Sequence, residues 1–318
     1  MTHNMKVAIG IDIGGTNTVF GLVDEQGNCL VQKSLKTKDY SKPEDFVAVL
    51  SAELKELIAS HKNISVIGMG VGAPNGNYYT GTIDFAPNLN WEGIVPLAQL
   101  LQEYFTFPVV LTNDANAAAI GERIYGAAKG VEDFVMVTLG TGLGSGFVVN
   151  GELVYGHDGF AGELGHTIVE KNGRECGCGR KGCLETYASA SGIVRTAKEF
   201  LEKSNNNLLA DVKELSSKSI ADAALKGDAL ALEIFDYTAE KLGFSLANTV
   251  ALTSPKLIVL FGGLAQSGDL ILKPTKKYME AYLLNIYQNK VAIVPSKLNA
   301  SDAAILGASA LAWQNSKQ

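Results

Sequence analysis

Three of the four cysteines in this sequence lie close together and follow a histidine. His166 precedes Cys176, Cys178 and Cys183, and glycines stand between the cysteines. Three thiolates and one imidazole make a complete tetrahedral zinc ligand set, and glycines let the loop fold tightly enough for the sulfurs to converge. Because no ligand position would stay open, the pattern predicts a structural zinc site. A disulfide with one spare thiol, or three unconnected core cysteines, is the alternative.

Two glutamates bracket this cluster. Glu163 lies three residues before His166, and Glu185 lies two residues after Cys183. If zinc takes one ring nitrogen of His166, the other nitrogen is left oriented and can face a polar ligand beside both glutamates. Such a loop would suit a ligand rich in hydroxyls. Either glutamate alone would be interpreted as a solvated surface charge.

Two glycine-rich turns between β-rich runs are suited to phosphate. Residues 6–23 (KVAIGIDIGGTNTVFGLV) predict a hairpin whose turn brings backbone N–H groups near a phosphate, and residues 133–151 (DFVMVTLGTGLGSGFVVNG) repeat the pattern. Asp12 is a hard oxygen ligand placed to reach Mg²⁺ through water; a plain hairpin with an exposed aspartate is the alternative. The turn residues are Gly14, Gly15, Thr16 and Asn17 in the first hairpin, and Gly140, Thr141, Gly142 and Gly144 in the second.

Two such hairpins, about one domain apart, indicate duplicated lobes that grip a nucleoside triphosphate across a cleft. This arrangement resembles the two-lobed α/β fold of actin, hexokinase and the Hsp70 ATPase, with its ribonuclease H-like duplication. A chain of 318 residues is long enough for two cores. We expect a small lobe of residues 1–115 plus 302–318, and a large lobe of residues 116–301 that carries the zinc loop.

Other glycine-rich segments are weaker candidates for nucleotide binding than the two hairpin turns. Residues 68–73 formally match a dinucleotide fingerprint, but Pro74 and Asn75 follow where a helix should begin. No GxxxxGK[ST] motif is present, which argues against a P-loop NTPase. The run KLIVLFGG predicts a buried strand ending in Gly262 and Gly263, where a planar base could approach the backbone; a tight strand-to-helix turn is the alternative.

A further acidic residue stands where a strand runs into a helix. Residues 109–112 predict the strand, and Asn113 and Asp114 lead into an alanine-rich helix that indicates close packing. Asp114 could act in chemistry or could only cap the helix. Residues 70–91, rich in Gly, Asn and Pro, predict a long surface loop that could fold over a ligand. Helices are expected over residues 43–61, over 186–203, in two pieces within 219–255, and over 302–313.

The stretches ELGHTIV (163–169) and CGCGRKGCLE (176–185) resemble the signature of the ROK family of sugar kinases and related repressors, and the resemblance covers nearly the whole chain. It implies that Asp114 is the general base and that Asn113 holds neighbouring sugar hydroxyls. It also implies that Gly72 and Asn88 contact the sugar, that Gly262 and Gly263 border adenosine, and that the protein is a homodimer. Asn75 departs from the family pattern, in which glycine is expected.

The expected reaction is transfer of the γ-phosphoryl group of ATP to the 6-hydroxyl of a hexose. Glucose is the expected substrate, and the alternatives are N-acetylmannosamine, N-acetylglucosamine, fructose and mannose. A glycosidase could pair Asp114 with Glu163 or Glu185, but it leaves both phosphate-type turns unexplained. A sugar-sensing regulator of the same family is the other alternative. Family repressors carry a helix-turn-helix segment ahead of the first hairpin, whereas five residues precede Lys6 here.

Composition and charge narrow the choice of partners. With 47% hydrophobic and 19% charged residues the chain is ordinary for a globular protein, and its net charge of −6 argues against a nucleic-acid surface. The first apolar run contains an aspartate, and the longest charge-free run is broken by glycines, so we expect no signal peptide or membrane anchor. We therefore expect a cytoplasmic protein whose ligands are a hexose, ATP, Mg²⁺ and Zn²⁺. Reduced thiols fit that compartment, and Cys29 has no obvious partner.

Overall fold

The computed structural model describes residues 4–203, 207–210, 212–298 and 302–316. The chain divides into two compact units. Unit 1 comprises Met1–Gly130, Leu153–Ala161 and Lys297–Gln318, and unit 2 comprises Val131–Glu152 and Gly162–Ser296. The predicted lobe limits, 1–115 plus 302–318 and 116–301, stay a prediction.

In chain order, the described strands and helices are β1 Met5–Ile13, β2 Thr18–Asp24, β3 Cys29–Leu35, α1 Pro43–Ser60, β4 Ile64–Ala73, β5 Gly76–Asn77, β6 Thr82–Asp84, β7 Ile94–Val95, α2 Leu97–Gln102, β8 Val109–Asn113, α3 Asp114–Ile124, β9 Phe134–Leu139, β10 Leu143–Val149, β11 Glu152–Leu153, α4 Glu185–Ala188, α5 Ala190–Leu201, α6 Ser217–Leu225, α7 Ala229–Thr253, β12 Leu257–Phe261, α8 Asp269–Tyr282, β13 Ala292–Pro295 and α9 Ala303–Asn315. Among these helices, none is both long and apolar enough to cross a bilayer.

The main sheet of unit 1 has the strand order β3-β2-β1-β4-β8. The first predicted hairpin forms its antiparallel half, and β1, β4 and β8 run parallel. The inner residues of β1, such as Ile9 and Ile11, are fully buried. One face of α1 carries Phe46, Leu50 and Leu54 at helical spacing, and all three are buried in the same core. The sheet therefore fixes the ends of three parallel strands side by side.

The main sheet of unit 2 repeats this plan, with the order β11-β10-β9-β12-β13. The second predicted hairpin, β9 and β10, is antiparallel, whereas β9, β12 and β13 run parallel. When the strands are numbered by appearance within each sheet, both sheets have the order third, second, first, fourth, fifth. The repeat of one topology confirms the duplication that the two hairpins predict.

The glycine-rich part of the predicted long loop, residues 70–73, is instead the end of strand β4. A side chain at Gly70 would overlap the carbonyl oxygen of Ala308 in α9, and one at Gly10 in β1 would overlap that of Ile305. These glycines let the helix backbone lie directly on the sheet, so here they mark close packing rather than a loop. The rest of the predicted loop contains β5 and β6, which form a small sheet of order β5-β6-β7 with a strand that lies beyond residue 91.

The predicted helix over residues 186–203 is also interrupted. Ser189 is extended, with φ −120° and ψ 174°, and separates α4 from α5. Its hydroxyl accepts a hydrogen bond from Gly192 N at 2.9 Å and caps α5. The N–H of Ala190 donates to the carbonyl of Gly140 at 2.8 Å, so the break brings the start of α5 to the second glycine turn.

Candidate active site and metal centre

The ends of the parallel strands of unit 1 bring together the residues predicted there. Asp12 pairs with Gly72 across β1 and β4, and Ala73 pairs with Asn113 across β4 and β8. A Cβ atom at Gly72 would lie 3.6 Å from Asp12 Oδ1 and 3.5 Å from the Cα of Asp114. Gly72 is buried, and a Cβ atom there would also lie 3.2 Å from the Cβ of Ala117, so a larger residue would crowd this end of the sheet.

Asn113 caps helix α3, which is the role considered for Asp114. The side-chain oxygen of Asn113 accepts hydrogen bonds from the backbone N–H of Ala115 at 2.8 Å and of Asn116 at 3.1 Å. Asp114 is the first residue of α3, and its Oδ1 also accepts from Ala115 N at 2.9 Å. Because the capping oxygen comes from Asn113, the carboxylate of Asp114 is left for chemistry at a helix N-terminus that favours negative charge.

The surroundings of Asp12 and Asp114 raise the pKa of both carboxyl groups. Burial, followed by repulsion from Asp114, raises the pKa of Asp12 to about 7. Asp114 keeps part of its surface in contact with solvent, but protein atoms surround its carboxyl group, and this loss of hydration raises its pKa although hydrogen bonds from backbone N–H groups oppose the shift. A carboxylate with a raised pKa is a stronger proton acceptor, which suits a general base.

The first glycine turn lies against the loop that carries Asn88. Gly14 N donates to the carbonyl of Asn17 at 3.0 Å and closes the turn, while Thr16 and Asn17 are exposed. A side chain at Gly15 would overlap the carbonyl oxygen of Asn88. The structure therefore brings Asn88, predicted to contact the sugar, next to a turn predicted to contact phosphate.

The four predicted residues of the second turn are not equivalent. A Cβ atom at Gly140 would meet no other described atom within 4 Å, and Thr141 is exposed, so this side of the turn is open. A Cβ atom at Gly142 would lie 2.5 Å from Oε2 of Glu185. Gly144 is not in the turn: it belongs to β10, where it pairs with Thr138 of β9, and its N–H donates to the hydroxyl of Thr138 at 3.0 Å.

The glycine pair after β12 packs on this second turn. Gly262 has φ +100°, and a Cβ atom there would lie 2.7 Å from the carbonyl carbon of Leu139 and 3.1 Å from Gly140 N. Gly263 is exposed, with open space where a side chain would be. The tight turn considered from the sequence is therefore present, and it borders the predicted phosphate turn.

The four predicted zinc ligands lie together in unit 2. The ligand atoms of His166, Cys176, Cys178 and Cys183 are all within 4.8 Å of one another. In a tetrahedral zinc site with bonds of about 2.0 to 2.3 Å, neighbouring ligand atoms are about 3.3 to 3.8 Å apart. Cys176 Sγ is 3.7 Å from His166 Nδ1, and Cys178 Sγ is 3.6 Å from Cys183 Sγ. The donor set and its spacing fit Zn²⁺.

The disulfide alternative does not describe this loop, since all four cysteines are free. Burial raises the pKa of the Cys176 thiol to about 12, whereas at Cys178 hydrogen bonds from Arg180 outweigh burial and lower the pKa to about 6. Arg180 also donates to the carbonyl of His166 at 2.9 Å. A cation thus stands beside a cluster that three thiolates would make strongly negative.

Glu185 connects the cysteine cluster with the second glycine turn. Its Oε1 lies 3.3 Å from Cys176 Sγ and 4.0 Å from His166 Nδ1, and its Oε2 accepts from Leu143 N at 3.2 Å. Because Nδ1 of His166 faces the cysteines, Nε2 is the nitrogen available to another ligand. The space left by Gly142 is therefore occupied by a predicted sugar-binding carboxylate.

Sequence reasoning missed the residue that fixes Glu163. Glu163 is exposed and immediately precedes the helical turn Leu164–His166. The hydroxyl of Ser145 in β10 donates to the carbonyl of Gly162 and accepts from Leu164 N at 3.2 Å, so it holds the backbone on both sides of Glu163. The sequence signal was a serine within a glycine-rich turn segment, which does not identify its partners.

Comparisons with known proteins place the chain in context. The ROK family model matches residues 8–315. A glucokinase of Halalkalibacterium halodurans is 38% identical over 288 residues, which are 87% of this chain and 86% of that protein. A ROK family glucokinase from Streptomyces griseus, solved in complex with glucose and AMPPNP, is 35% identical, with a TM-score of 0.81 over 97% of this chain and 99% of that one. A xylose repressor of Caldicellulosiruptor bescii is 29% identical over 95% of this chain and 77% of the repressor.

Proposed function

Because the chain belongs to the ROK family, we propose that it is an ATP-dependent hexose kinase that phosphorylates the 6-hydroxyl of glucose. The observation that carries this proposal is the likeness, over nearly the whole of both chains, to glucokinases, one of them solved with glucose and AMPPNP. The chain shares with these kinases the actin-like ATPase fold that its two hairpins predict.

The proposal assigns the chemistry to Asp114. Its carboxylate accepts the proton of the 6-hydroxyl while the sugar oxygen forms a bond to the γ-phosphorus, the bond from that phosphorus to the bridging oxygen of ADP breaks, and ADP leaves. The raised pKa of Asp114 and its freedom from the capping role support this assignment. A positioned base contributes about 10²- to 10⁴-fold to the rate, and the rest is expected from alignment and charge compensation.

The proposal assigns sugar recognition to two sets of residues. In unit 1 they are Gly72, Asn88 and Asn113, and in unit 2 they are Glu163, His166 and Glu185. His166, Cys176, Cys178 and Cys183 would hold Zn²⁺, which would brace the loop and fix the orientation of the imidazole, leaving Nε2 of His166 for the sugar. Glu185 lies beside the same cluster, with its Oε1 3.3 Å from Cys176 Sγ.

The nucleotide is assigned to the glycine turns. The open residues of the two turns would hold the phosphates through backbone N–H groups, and Gly262 and Gly263 would border adenosine. Bound Mg²⁺ compensates phosphate charge, and Asp12 would hold it through water. Asp12 suits this role because burial and the charge of Asp114 disfavour its ionised form, and a divalent cation beside the carboxylate would favour that form.

A coupled assay tests the proposal. ADP release is measured with ATP, Mg²⁺ and a panel of glucose, mannose, fructose, N-acetylglucosamine and N-acetylmannosamine. Glucose should give the highest kcat/KM, and ³¹P and ¹³C spectra of the product should place the phosphate on the 6-oxygen. ATP-dependent consumption of none of these sugars would reject the kinase. Release of sugar from glycosides without ATP would support a glycosidase instead.

A sugar-responsive regulator is the second candidate, since the chain is also similar to a xylose repressor. Calorimetry separates the two: a regulator binds a sugar without turnover in the presence of ATP and Mg²⁺. The kinase proposal extends to a cytoplasmic homodimer without nucleic-acid or membrane partners. Light scattering of the purified protein should give about twice the mass of one chain.

A further inference from the structure

Asn75 has an unusual backbone conformation. It lies between β4 and β5 with φ +51°, in the left-handed region that favours glycine and next best accepts asparagine. The glycine expected here from the family resemblance would adopt the same backbone. The substitution therefore keeps the turn and adds a side chain to it.

That side chain clamps a neighbouring segment. Nδ2 of Asn75 donates to the carbonyl of Asp84 at 2.9 Å and to that of Phe85 at 3.3 Å, and the backbone N–H of Asp84 donates to the carbonyl of Asn75 at 3.2 Å. Phe85 is itself left-handed, with φ +49°, and 68% exposed. A bulky residue with positive φ is strained, so it persists only where neighbouring contacts hold it. The amide of Asn75 is such a contact.

The clamped segment leads directly into the turn that carries Asn88. Leu89 N donates to the carbonyl of Ala86 at 3.2 Å, and both residues are buried, which leaves Pro87 and Asn88 at the exposed tip of a β-turn. The orientation of this turn follows from the backbone direction at Phe85. Any rotation there would move the side chain of Asn88.

We propose that Asn75 is a positioning residue for sugar recognition: its side-chain amide fixes the backbone of residues 84–85 and thereby aims Asn88. This inference rests on the proposed function, in which Asn88 contacts the hexose. It assigns to Asn75 a contribution to substrate affinity that a glycine at the same position cannot make.

The test is Asn75→Gly, which keeps the left-handed backbone and removes the amide. KM for glucose should rise about three- to tenfold, as expected for the loss of one or two hydrogen bonds, while KM for ATP changes less than about twofold. Asn75→Asp, whose carboxylate cannot donate to two carbonyls, should raise KM for glucose at least as much. The matched control is Asn63→Gly, since Asn63 is exposed and also left-handed at φ +64°, and this variant should keep both KM values.

Hydrogen exchange provides a readout that does not depend on activity. In Asn75→Gly the amides of Asp84 and Phe85 should exchange faster than in the wild type, and those of β1 should not. A wild-type KM for glucose in Asn75→Gly, or equal rises for glucose and ATP, would overturn the inference. A wild-type protein that phosphorylates no sugar would overturn the proposed function instead, and the exchange rates would still decide whether the clamp exists.

Discussion

Asp12 lies close enough to Asp114 for their charges to repel, and this repulsion adds to burial, the larger cause, in raising the pKa of Asp12 to about 7. The two carboxylates meet because parallel strands end at one edge of the sheet of unit 1. A pair of like charges here destabilises the protein without ligands and is suited to a site that later receives a cation.

The first prediction concerns stability. In unfolded chains Asp12 should titrate near its ordinary value of 3.8, so below that pH it is protonated in both states and has no effect. As pH rises to 7 the folded state carries a growing penalty, which is complete above pH 7. Without Mg²⁺, Asp12→Asn should therefore raise the free energy of unfolding in urea by about 1 to 3 kcal/mol at pH 8, and by close to nothing at pH 4. Asp39→Asn, on an exposed aspartate, is the control; equal curves for Asp12→Asn and wild type at pH 8 would contradict the shift.

The second prediction concerns the base. Asp114→Asn should lower kcat by about 10²- to 10⁴-fold with little change in KM for glucose, because the amide keeps the shape but accepts no proton. Circular dichroism and the melting temperature should stay near wild type. In the wild type, the raised pKa of Asp114 means that kcat/KM falls on the acid side at a higher pH than an ordinary aspartate would give. Retention of most turnover in Asp114→Asn would remove Asp114 from the mechanism.

Metal analysis gives the third prediction. The purified protein should contain one zinc per chain, and Cys178→Ser should lose it, whereas Cys29→Ser should keep it. Loss of zinc should raise KM for glucose about 10- to 100-fold and affect KM for ATP less, because His166 and Glu185 contact the cysteine cluster. Glucose affinity that is unchanged after verified zinc loss would show that the metal does not support the sugar site.

The fourth prediction separates two glycines of one turn. Gly142→Ala places a methyl group 2.5 Å from Oε2 of Glu185 and should displace this carboxylate, so KM for glucose should rise about tenfold or more. Gly140→Ala has open space and should leave KM for glucose unchanged while raising KM for ATP. Steady-state kinetics with each substrate varied in turn will show the difference, and the same response in both variants would refute separate roles.

Local sequence patterns predicted the elements that carry the candidate site residues. Alternating apolar residues around Gly/Thr turns gave both hairpins, and the spacing from His166 to Cys183 gave the metal cluster, because these features depend on neighbours in the chain. The change from strand to helix at Asp114 was also predicted from neighbouring residues alone, and the structure has it between β8 and α3. The sequence could not decide that Asn113 caps α3, since both residue types cap helices well.

The errors arose where distant residues decide the structure. Residues 70–73 form a strand because α9 packs on Gly70, and the helix over 186–203 breaks at Ser189 because Ala190 bonds to Gly140. Gly144 was predicted in a turn because nothing local reveals its bond to Thr138. Ser145 was overlooked for the same reason: its partners flank Glu163, which is remote in sequence.

The close packing of α9 on β1 and β4 has a consequence for folding during synthesis of the chain. The ribosome releases β1 and β4 early, but α9 follows only after the whole of unit 2 has been synthesised. Until then, Gly10 and Gly70 lack the helix backbone that packs directly on them in the finished protein. All elements of unit 2 are therefore made before α9, whereas the packing of unit 1 is completed only by the last helix of the chain, which gives its early strands a long-range contact to wait for.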